Sequence, residues 1–447
     1  MPAHRLALRA CLAAVLWAPA AVPAEAVEWF VGQGGNGTGT STAPFGTIQT
    51  ALDLAQPGDV VTVRPGVYRE GIRTARNGTA SQPIRLRGTG ERAVLITRPG
   101  TVLRVDHAFL IVETLVLDGQ YAAADTVDVN AGGEGLVIRD VEIRRSARDL
   151  VDIASPSDVR IEESLIHHAL NATGGRTDAH GIAAGAVRGL TIRNTEIHTF
   201  SGDGVQVDPG RAAPGWNDVT LENVHIWLAP LPGPENGFPA GTVPGENAVD
   251  TKAHAGLPRS TLTIRDTTAH GFRGGLIGNM AAFNLKEHVD VTLDGVTVFD
   301  SDIAFRLRGA TRSTAAGAWV TVKNAVVYNV GTAFRYEDAI DNLRIWNTTI
   351  GGGVGRPFRG VNTGRPTLDV RNVLVLGTSS GEAAHRSNLS VGPEAFVNAR
   401  THDYRLAPGS PAVDAGEMIA GVSTDRDGRD RPAGGALDVG AYELAPE

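Results

Sequence analysis

The sequence has one cysteine, few aromatic residues and only three lysines. A single cysteine excludes a disulfide scaffold and a zinc or iron–sulfur site built from several cysteines. No apolar run reaches the roughly 18 residues that would span a bilayer. The net charge of −8 argues against a nucleic-acid-binding protein. Glycine, by contrast, is abundant, with 55 in 447 residues, and this favours many short strands joined by tight turns.

The first residues have the pattern of a secretion signal. Arg5 and Arg9 give a positive start, a mostly apolar stretch runs from Cys11 to Val22, and small residues follow. This pattern predicts a signal peptide over 1–24, with an alternative cleavage site at 26. We therefore expect a secreted protein, extracellular or periplasmic, whose mature chain has no cysteine and is stabilised by packing alone.

A nine-residue pattern recurs along the chain: apolar, any, apolar, any, Asn or Asp, any, any, apolar, any. LTIRNTEIH at 190–198 and VTLENVHIW at 219–227 are examples. Alternating apolar residues are typical of a strand with one buried face. Asn at the fifth position suits a bend between two strands, because Asn tolerates left-handed backbone. Nine copies begin at 136, 159, 190, 219, 262, 291, 320, 343 and 368, and a looser copy begins at 110.

Strand, bend and strand, repeated at this spacing, predict an all-β parallel β-helix. The consensus is not the Leu-rich one of leucine-rich repeats, and nine copies of one motif argue against a β-sandwich. The segment 47–55 predicts a short helix that covers the amino-terminal end of the core. We expect the β-helix and its cap to occupy 27–377, and the Gly/Asp-rich segment 378–447 to cap the other end.

Each coil needs a further strand, and six segments can be aligned for it by their inward apolar residue. The coil near 274–280 is left out because its alignment is ambiguous. In-register stacking places like positions about 4.8 Å apart, so outward side chains form columns. The first column reads Asp152, Ala183, Gln206, Asp250, Arg306 and Arg335, and the second reads Ala154, Gly185, Asp208, Lys252, Arg308 and Glu337.

Lys252 is the most informative residue of these columns. The chain has 41 Lys and Arg residues, but only 252, 286 and 323 are Lys. Arg stays protonated, whereas a lysine can lose its proton and act as a base. The structural alternative is a salt bridge from Lys252 to Asp208 or Asp250. Lys323 is expected to be structural, and Lys286 receives no specific role.

Several acids gather on the same coils and predict a calcium site. Calcium takes six to eight oxygen ligands and favours several carboxylates on a rigid wall. The alternative is that these acids cap turns, as Asp does when glycines flank it. The predicted ligands are Asp178, Asp203, Asp208, Glu246 and Asp250.

Other residues near these coils suit a sugar substrate. His180 could tune a carboxylate or contact sugar, and Arg273 could hold a substrate carboxylate, as could Arg306 and Arg308. A long loop, 229–245, contains five Pro and four Gly and leads directly into Glu246. Long ordered loops on rigid scaffolds tend to be functional. The predicted substrate contacts are Arg306, Arg308 and Trp216, with Trp227 and Phe238 also nearby in sequence.

The chain as a whole resembles a known family. The opening PFGTIQTALDLAQPGDVVTVRPGVYREGI, the coils and the tail DYRLAPGSPAVDAG…DVGAYEL are similar to secreted right-handed parallel β-helix proteins of the pectate-lyase superfamily. The acids on adjacent coils and the lysine resemble calcium-dependent family 9 polysaccharide lyases. Within that resemblance, Asp203, Asp250 and Lys252 carry over as metal ligands and base. A paired Asp-Asp is typical there, whereas this chain has Gly-Asp-Gly.

These features predict a secreted lyase that cuts a uronic-acid polysaccharide by β-elimination, with Lys252 as base, Arg273 and His180 as the next candidates, and calcium as cofactor. The partner would be an acidic polysaccharide, and we expect a monomer. Alternatives on the same fold are a C5-epimerase, a glycoside hydrolase and a non-catalytic glycan-binding or adhesion solenoid. The sequence does not choose among pectate, alginate and glycosaminoglycans.

Overall fold

The computed structural model describes residues 25–172, 178–208, 215–253, 256–311, 316–363, 367–378, 381 and 384–444. The predicted signal peptide, 1–24, lies outside these residues. No helix within the described ranges is long and apolar enough to cross a membrane.

The further strand that the sequence predicted in each coil is present, and these strands together form one parallel sheet. Adjacent strands come from successive coils, and each pair is in register. We call it the eleven-strand sheet. Its strands are Ile72–Arg73, Leu103–Val105, Val127–Val129, Val151–Ile153, Ile182–Ala184, Val205–Val207, Asn247–Thr251, Ala281–Lys286, Ser301–Arg308, Val330–Glu337 and Arg356–Val361.

The repeated motif forms most of the second sheet, which has 24 strands and whose described pairings are all parallel. Strands before the bend are Glu28–Val31, Val60–Val63, Ile84–Gly88, Arg160–Glu162, Arg188–Arg193, Asn217–Glu222, Ser260–Arg265, Val289–Asp294, Trp319–Lys323, Asn342–Trp346 and Leu368–Arg371. Strands after it are Gly66–Tyr68, Val94–Thr97, Leu165–Ala169, Glu196–Phe200, His225–Trp227, Thr268–His270, Thr297–Phe299, Val326–Val327, Thr349–Ile350, Leu374–Leu376 and Leu389–Val391. Leu110–Ala122 and Val137–Ser146 run through the bend. The predicted parallel β-helix is confirmed.

The bend lies at the fifth position of the motif, as predicted. Asn223 Nδ2 donates to Asn194 Oδ1 of the preceding coil at 2.9 Å, so neighbouring bends are hydrogen-bonded to each other. The left-handed conformation explains the preference for Asn, Asp and Gly at this position. Backbone φ is positive at the fifth position of every copy: Thr114, Asp140, Glu163, Asn194, Asn223, Asp266, Gly295, Asn324, Asn347 and Asn372.

Inward side chains stack from coil to coil and fill the core. The rings of Phe283 and Phe305 lie 5.5 Å apart, those of Phe305 and Phe334 4.9 Å, and those of Phe334 and Phe358 5.5 Å. Offset ring stacking adds about 1 kcal/mol per pair beyond the burial of apolar area.

A second stack of rings lies on the outside of the 24-strand sheet, at the last position of the motif. Its neighbouring rings are stacked with centroids between 4.4 and 6.0 Å apart. All six side chains are half-buried. We call this the aromatic column: His167, His198, Trp227, His270, Phe299 and Tyr328.

The ends of the solenoid carry its few helices. The helix Ile48–Leu54 begins after Thr47, whose side chain accepts from the Thr50 amide, and it buries Ile48, Ala51 and Leu52 in the core. Its role in closing the amino-terminal end stays a prediction.

The chain after the last coil forms a separate small core that includes Phe396 and Tyr404. Arg431 and Glu443 form an ion pair there with both side chains fully buried. The boundaries 27–377 and 378–447 stay predictions. The elements of this region are the antiparallel strands Phe396–Asn398 and Asp403–Leu406 and the 3-10 helices Pro393–Ala395 and Ala399–Thr401.

Candidate active site

The register of the eleven-strand sheet places the predicted columns as aligned. Asp152 pairs with Ala183, Ala183 with Gln206, and Gln206 with Asp250. The coil that the alignment left out contributes the strand Ala281–Lys286, in which Asn284 pairs with Asp250 on one side and with Arg306 on the other. The first column therefore continues without a break from the acids to the arginines.

The same register places a second lysine beside Lys252. The strand that carries Asp250 ends at Thr251, and continuing its register by one residue places Lys252 opposite Lys286, which pairs with Arg308. Sequence reasoning missed Lys286 because the glycine-rich segment before it obscured the alignment. The alternation in AAFNLK, which matches that in AFRLR, is the signal that could have found it.

Asp203 is held in a buried hydrogen-bond network. Its side chain is 4% exposed, and its carboxylate accepts from Asn247 Nδ2 at 2.7 Å and from Gln206 Nε2 at 2.9 Å. The Asp203 backbone N–H donates to His180 Nδ1 at 2.8 Å. His180 is itself buried, and its backbone N–H donates to Asp149. His180 thus fixes the position of Asp203.

Asp250 lies one coil further and is also buried. Lys286 Nζ lies 2.9 Å from its Oδ1, and Asn284 Nδ2 donates to the same oxygen at 2.8 Å. Burial and the charge of Asp203 raise the pKa of Asp250 to about 7, although Lys286 opposes this shift. Two carboxylates in one low-dielectric region repel each other, so the ammonium group of Lys286 is needed beside them.

Lys252 is the more accessible lysine. Its Nζ lies 3.3 Å from Asp208 Oδ2, and its side chain is 37% exposed, against 15% for Lys286. Its backbone is anchored, since the Lys252 carbonyl accepts from Trp216 Nε1 at 2.8 Å. Trp216 is 2% exposed and belongs to the core. The expectation that Trp216 contacts sugar rings is therefore corrected: this indole supports the turn that carries Lys252.

Arg306 and Arg308 continue the two columns beyond Asn284 and Lys286. Arg306 Nε lies 2.9 Å from Glu337 Oε1, and Arg308 Nε lies 3.5 Å from Glu337 Oε2. Burial raises the pKa of Glu337, but hydrogen bonds and charges from the surrounding arginines lower it below its ordinary value. Arg273, which is half-exposed, pairs with Asp300 at 3.2 Å. Arg306 and Arg308 thus join the lysines, while Arg273 has a partner outside the two columns.

The five predicted calcium ligands do not form a cage. Asp203 accepts two amide N–H groups, Asp250 accepts an amide and an ammonium group, and Asp208 faces the ammonium of Lys252. Amide and ammonium groups therefore lie at these carboxylates, and the carboxylates are not gathered around one point. Asp178 is exposed, and Glu246 is half-buried. Over the described ranges, no group of three or more acidic, histidine or cysteine side chains could hold a metal.

The loop 229–245 packs against the coils that carry Leu170 and Asp203. Leu231 and Phe238 are buried in a small cluster with Leu170. Glu235 accepts from the hydroxyl of Tyr121, which lies several coils towards the amino terminus. The Glu246 N–H that follows the loop donates to the Gly202 carbonyl, next to Asp203. The loop is therefore held next to Asp203, and its role in function stays a prediction.

We call this surface the polar wall: Asp203, Asp208, Asp250, Lys252, Lys286, Arg306 and Arg308. It is built on rigid strands, and its charges change sign within a few coils. Such a wall can bind an acidic polymer and offer it a lysine amine.

The chain is similar in sequence to a pectate lyase and in fold to solved polysaccharide lyases. No protein-family model matches the chain. The pectate lyase PEL9 of Emericella nidulans is 25% identical over 309 residues, which cover 55% of this chain and 75% of that protein.

Two solved structures have the same fold. The pectate lyase Pel9A has a TM-score of 0.50 and 15% identity, covering 93% of this chain and 96% of its own. A rhamnogalacturonan lyase has a TM-score of 0.54 and 14% identity, covering 83% and 90%. At these identities the structures establish the fold alone, whereas the match with PEL9 supports the prediction of a polysaccharide lyase.

Proposed function

We propose that this protein is a secreted lyase that cuts a uronic-acid polysaccharide by β-elimination. The observation that supports the proposal is the accessible Lys252, whose register continues through Lys286 to Arg308 on the next two strands. A lyase of this kind needs a base for the C5 proton and positive charge near the adjacent carboxylate.

The roles follow from position along the wall. The neutral amine of Lys252 takes the C5 proton, while Lys286 and Arg308 stabilise the negative charge that develops on the carboxylate. The C5–H electron pair forms the C4–C5 double bond as the C4–O4 bond breaks. The leaving O4 takes a proton from water, and Lys252 returns its proton to solvent. Asp208 positions the amine through its 3.3 Å contact.

Calcium enters no step of this proposal. The carboxylates that would ligate it already accept N–H groups, and two ammonium groups lie beside them. In this chain the side chains of Lys286 and Arg308 supply the positive charge.

The test is an assay of a polyuronate panel for unsaturated sugar ends. We expect Lys252→Arg to keep the fold and to lower turnover by roughly 10²-fold or more, the scale for removing a general base. Lys323→Arg is the matched control, because Lys323 pairs with Asp294 on the other sheet. Wild-type turnover in Lys252→Arg would contradict the assignment.

A hydrolase is the second candidate, and the buried pair Asp203 and Asp250 favours it. Two nearby carboxylates, one of which has a pKa of about 7, resemble an acid–base pair. The same assay separates the two reactions. Hydrolysis releases reducing ends without unsaturated ends, and it would be lost in Asp250→Asn.

A further inference from the structure

Arginines continue beyond the polar wall towards the carboxyl-terminal coils. Arg335 pairs with Arg306 in the first column, and Arg359 pairs with Arg335. Arg356 begins the last strand of the same sheet. These three arginines, with Asn279 and Asp302, line a cavity of about 250 Å³.

The positive charge of this cavity is only partly compensated. Glu337 is shared by three guanidinium groups, since Arg335 Nε lies 2.6 Å from it and Arg306 and Arg308 also contact it. Burial lowers the pKa of Arg335, and the charges of Arg306 and Arg359 add to this effect. Asp302 is the one carboxylate among the residues that line the cavity. A bound anion would relieve the repulsion among these arginines.

Two acids lie in the same column on the other side of Ala183, and the column then ends in Arg104 and Arg73. Asp128 and Asp152 occupy neighbouring positions there, and Asp128 is compensated by Arg104 at 2.7 Å. Burial and the charge of Asp149 raise the pKa of the nearby Asp125 to about 6, as expected where acids crowd together. The column therefore carries arginines at both ends and acids between them.

The spacing of the strands gives the distance between the cavity and the polar wall. Arg335 and Arg359 lie two and three strands beyond Asn284, or about 10 to 14 Å at the spacing of parallel strands. A polysaccharide lying along the groove would cross this distance with a few sugar units.

We propose that Arg335, Arg356 and Arg359 form a subsite for the carboxylate of a second uronate, a few sugars from the bond that is cut. The substrate class is then a polymer with a run of acidic sugars on the arginine side. This inference rests on the proposed function for its substrate, but it can be tested by binding alone.

The test measures the affinity of hexasaccharides of galacturonate and of mannuronate by calorimetry, in the Lys252→Arg background to prevent turnover. Arg356 and Arg359 are exposed, so replacing them leaves the core intact. We expect the double variant Arg356→Gln, Arg359→Gln to weaken binding of the preferred hexasaccharide by roughly 10-fold or more, because the charge-assisted hydrogen bonds of two guanidinium groups to the carboxylate are lost. Its fully methyl-esterified form should bind both proteins equally weakly.

Arg344→Gln is the matched control, because Arg344 is equally exposed but lies on the 24-strand sheet. Unchanged affinity in the double variant, an equal loss in the control, or no binding of either hexasaccharide would overturn the subsite. A different result would contradict the lyase activity alone. In that case binding would still depend on the arginines, but the wild-type protein would form no unsaturated ends.

Discussion

The polar wall and the aromatic column are built by the same rule and differ in what is stacked. Both present side chains from successive coils in register, on the outside of a parallel sheet. In the aromatic column, rings stack on rings, and each layer stabilises the next. In the polar wall, carboxylates, ammonium groups and guanidinium groups adjoin, so the chemistry of each residue depends on the coil beside it.

The difference shows that in this solenoid the residues that stabilise the fold and the residues that could carry the reaction lie on different sheets. A ring in the middle of the aromatic column can be replaced without touching the polar wall, because the two lie on different sheets. The comparison therefore predicts that damage to one region changes unfolding and damage to the other changes turnover.

The largest effect on stability should come from Trp227, which stacks on His198 at 4.4 Å and donates to Glu196 at 2.7 Å. We expect Trp227→Ala to lower the free energy of unfolding by about 2 kcal/mol, less than for a fully buried ring because the indole is half-exposed. Trp227→Phe should retain most of the stability. Denaturant unfolding measures both, and activity per folded molecule should stay at the wild-type level. A large loss of turnover would show that the column belongs to the site.

A smaller effect should appear in the free energy of unfolding at acidic pH. Burial and neighbouring histidines lower the pKa of His198 to about 3 and that of His270 to about 4. Both stay neutral when folded, whereas the unfolded chain binds protons near pH 6.5. Stability is therefore full above pH 6.5 and falls as the pH drops towards 4.

Phenylalanine keeps the stack and removes the proton sites. We expect His198→Phe and His270→Phe to reduce the loss of stability between pH 7 and pH 5, each compared with its own value at pH 7. Tyr328→Phe keeps a ring in the column and removes no group that titrates between pH 5 and pH 7, so it should leave that loss unchanged. If both histidine variants lost as much stability between pH 7 and pH 5 as the wild type, the protonation of these histidines would not explain that loss.

The smallest expected effect concerns calcium. Because the carboxylates of the polar wall already accept N–H groups, millimolar calcium or a chelator should leave the melting temperature unchanged. Differential scanning calorimetry would measure this. A rise with calcium that disappears in Asp203→Ala would instead restore the five-acid cage predicted from the sequence.

The bends and columns could be predicted because they depend on local chemistry repeated many times. Asn at the fifth position implied left-handed backbone, and even Glu163 and Thr114 adopt it where the pattern demands. The partners of Asp203 and Asp250 could not be predicted, since Asn247 and Asn284 belong to other coils whose register depends on loop lengths. Trp216 was misjudged because an aromatic residue beside a site can face either side of its turn.

The anchoring of the loop 229–245 has a consequence for folding. In a solenoid each coil contacts mainly its neighbours, so unfolding can begin at an end and proceed coil by coil. The hydrogen bond from Tyr121 to Glu235 and the packing of Phe238 near Leu170 join coils that are distant in this series. The coils between Tyr121 and Asn247 should therefore unfold as one cooperative block, and hydrogen exchange should be slow throughout it, including the strand that carries Gln206.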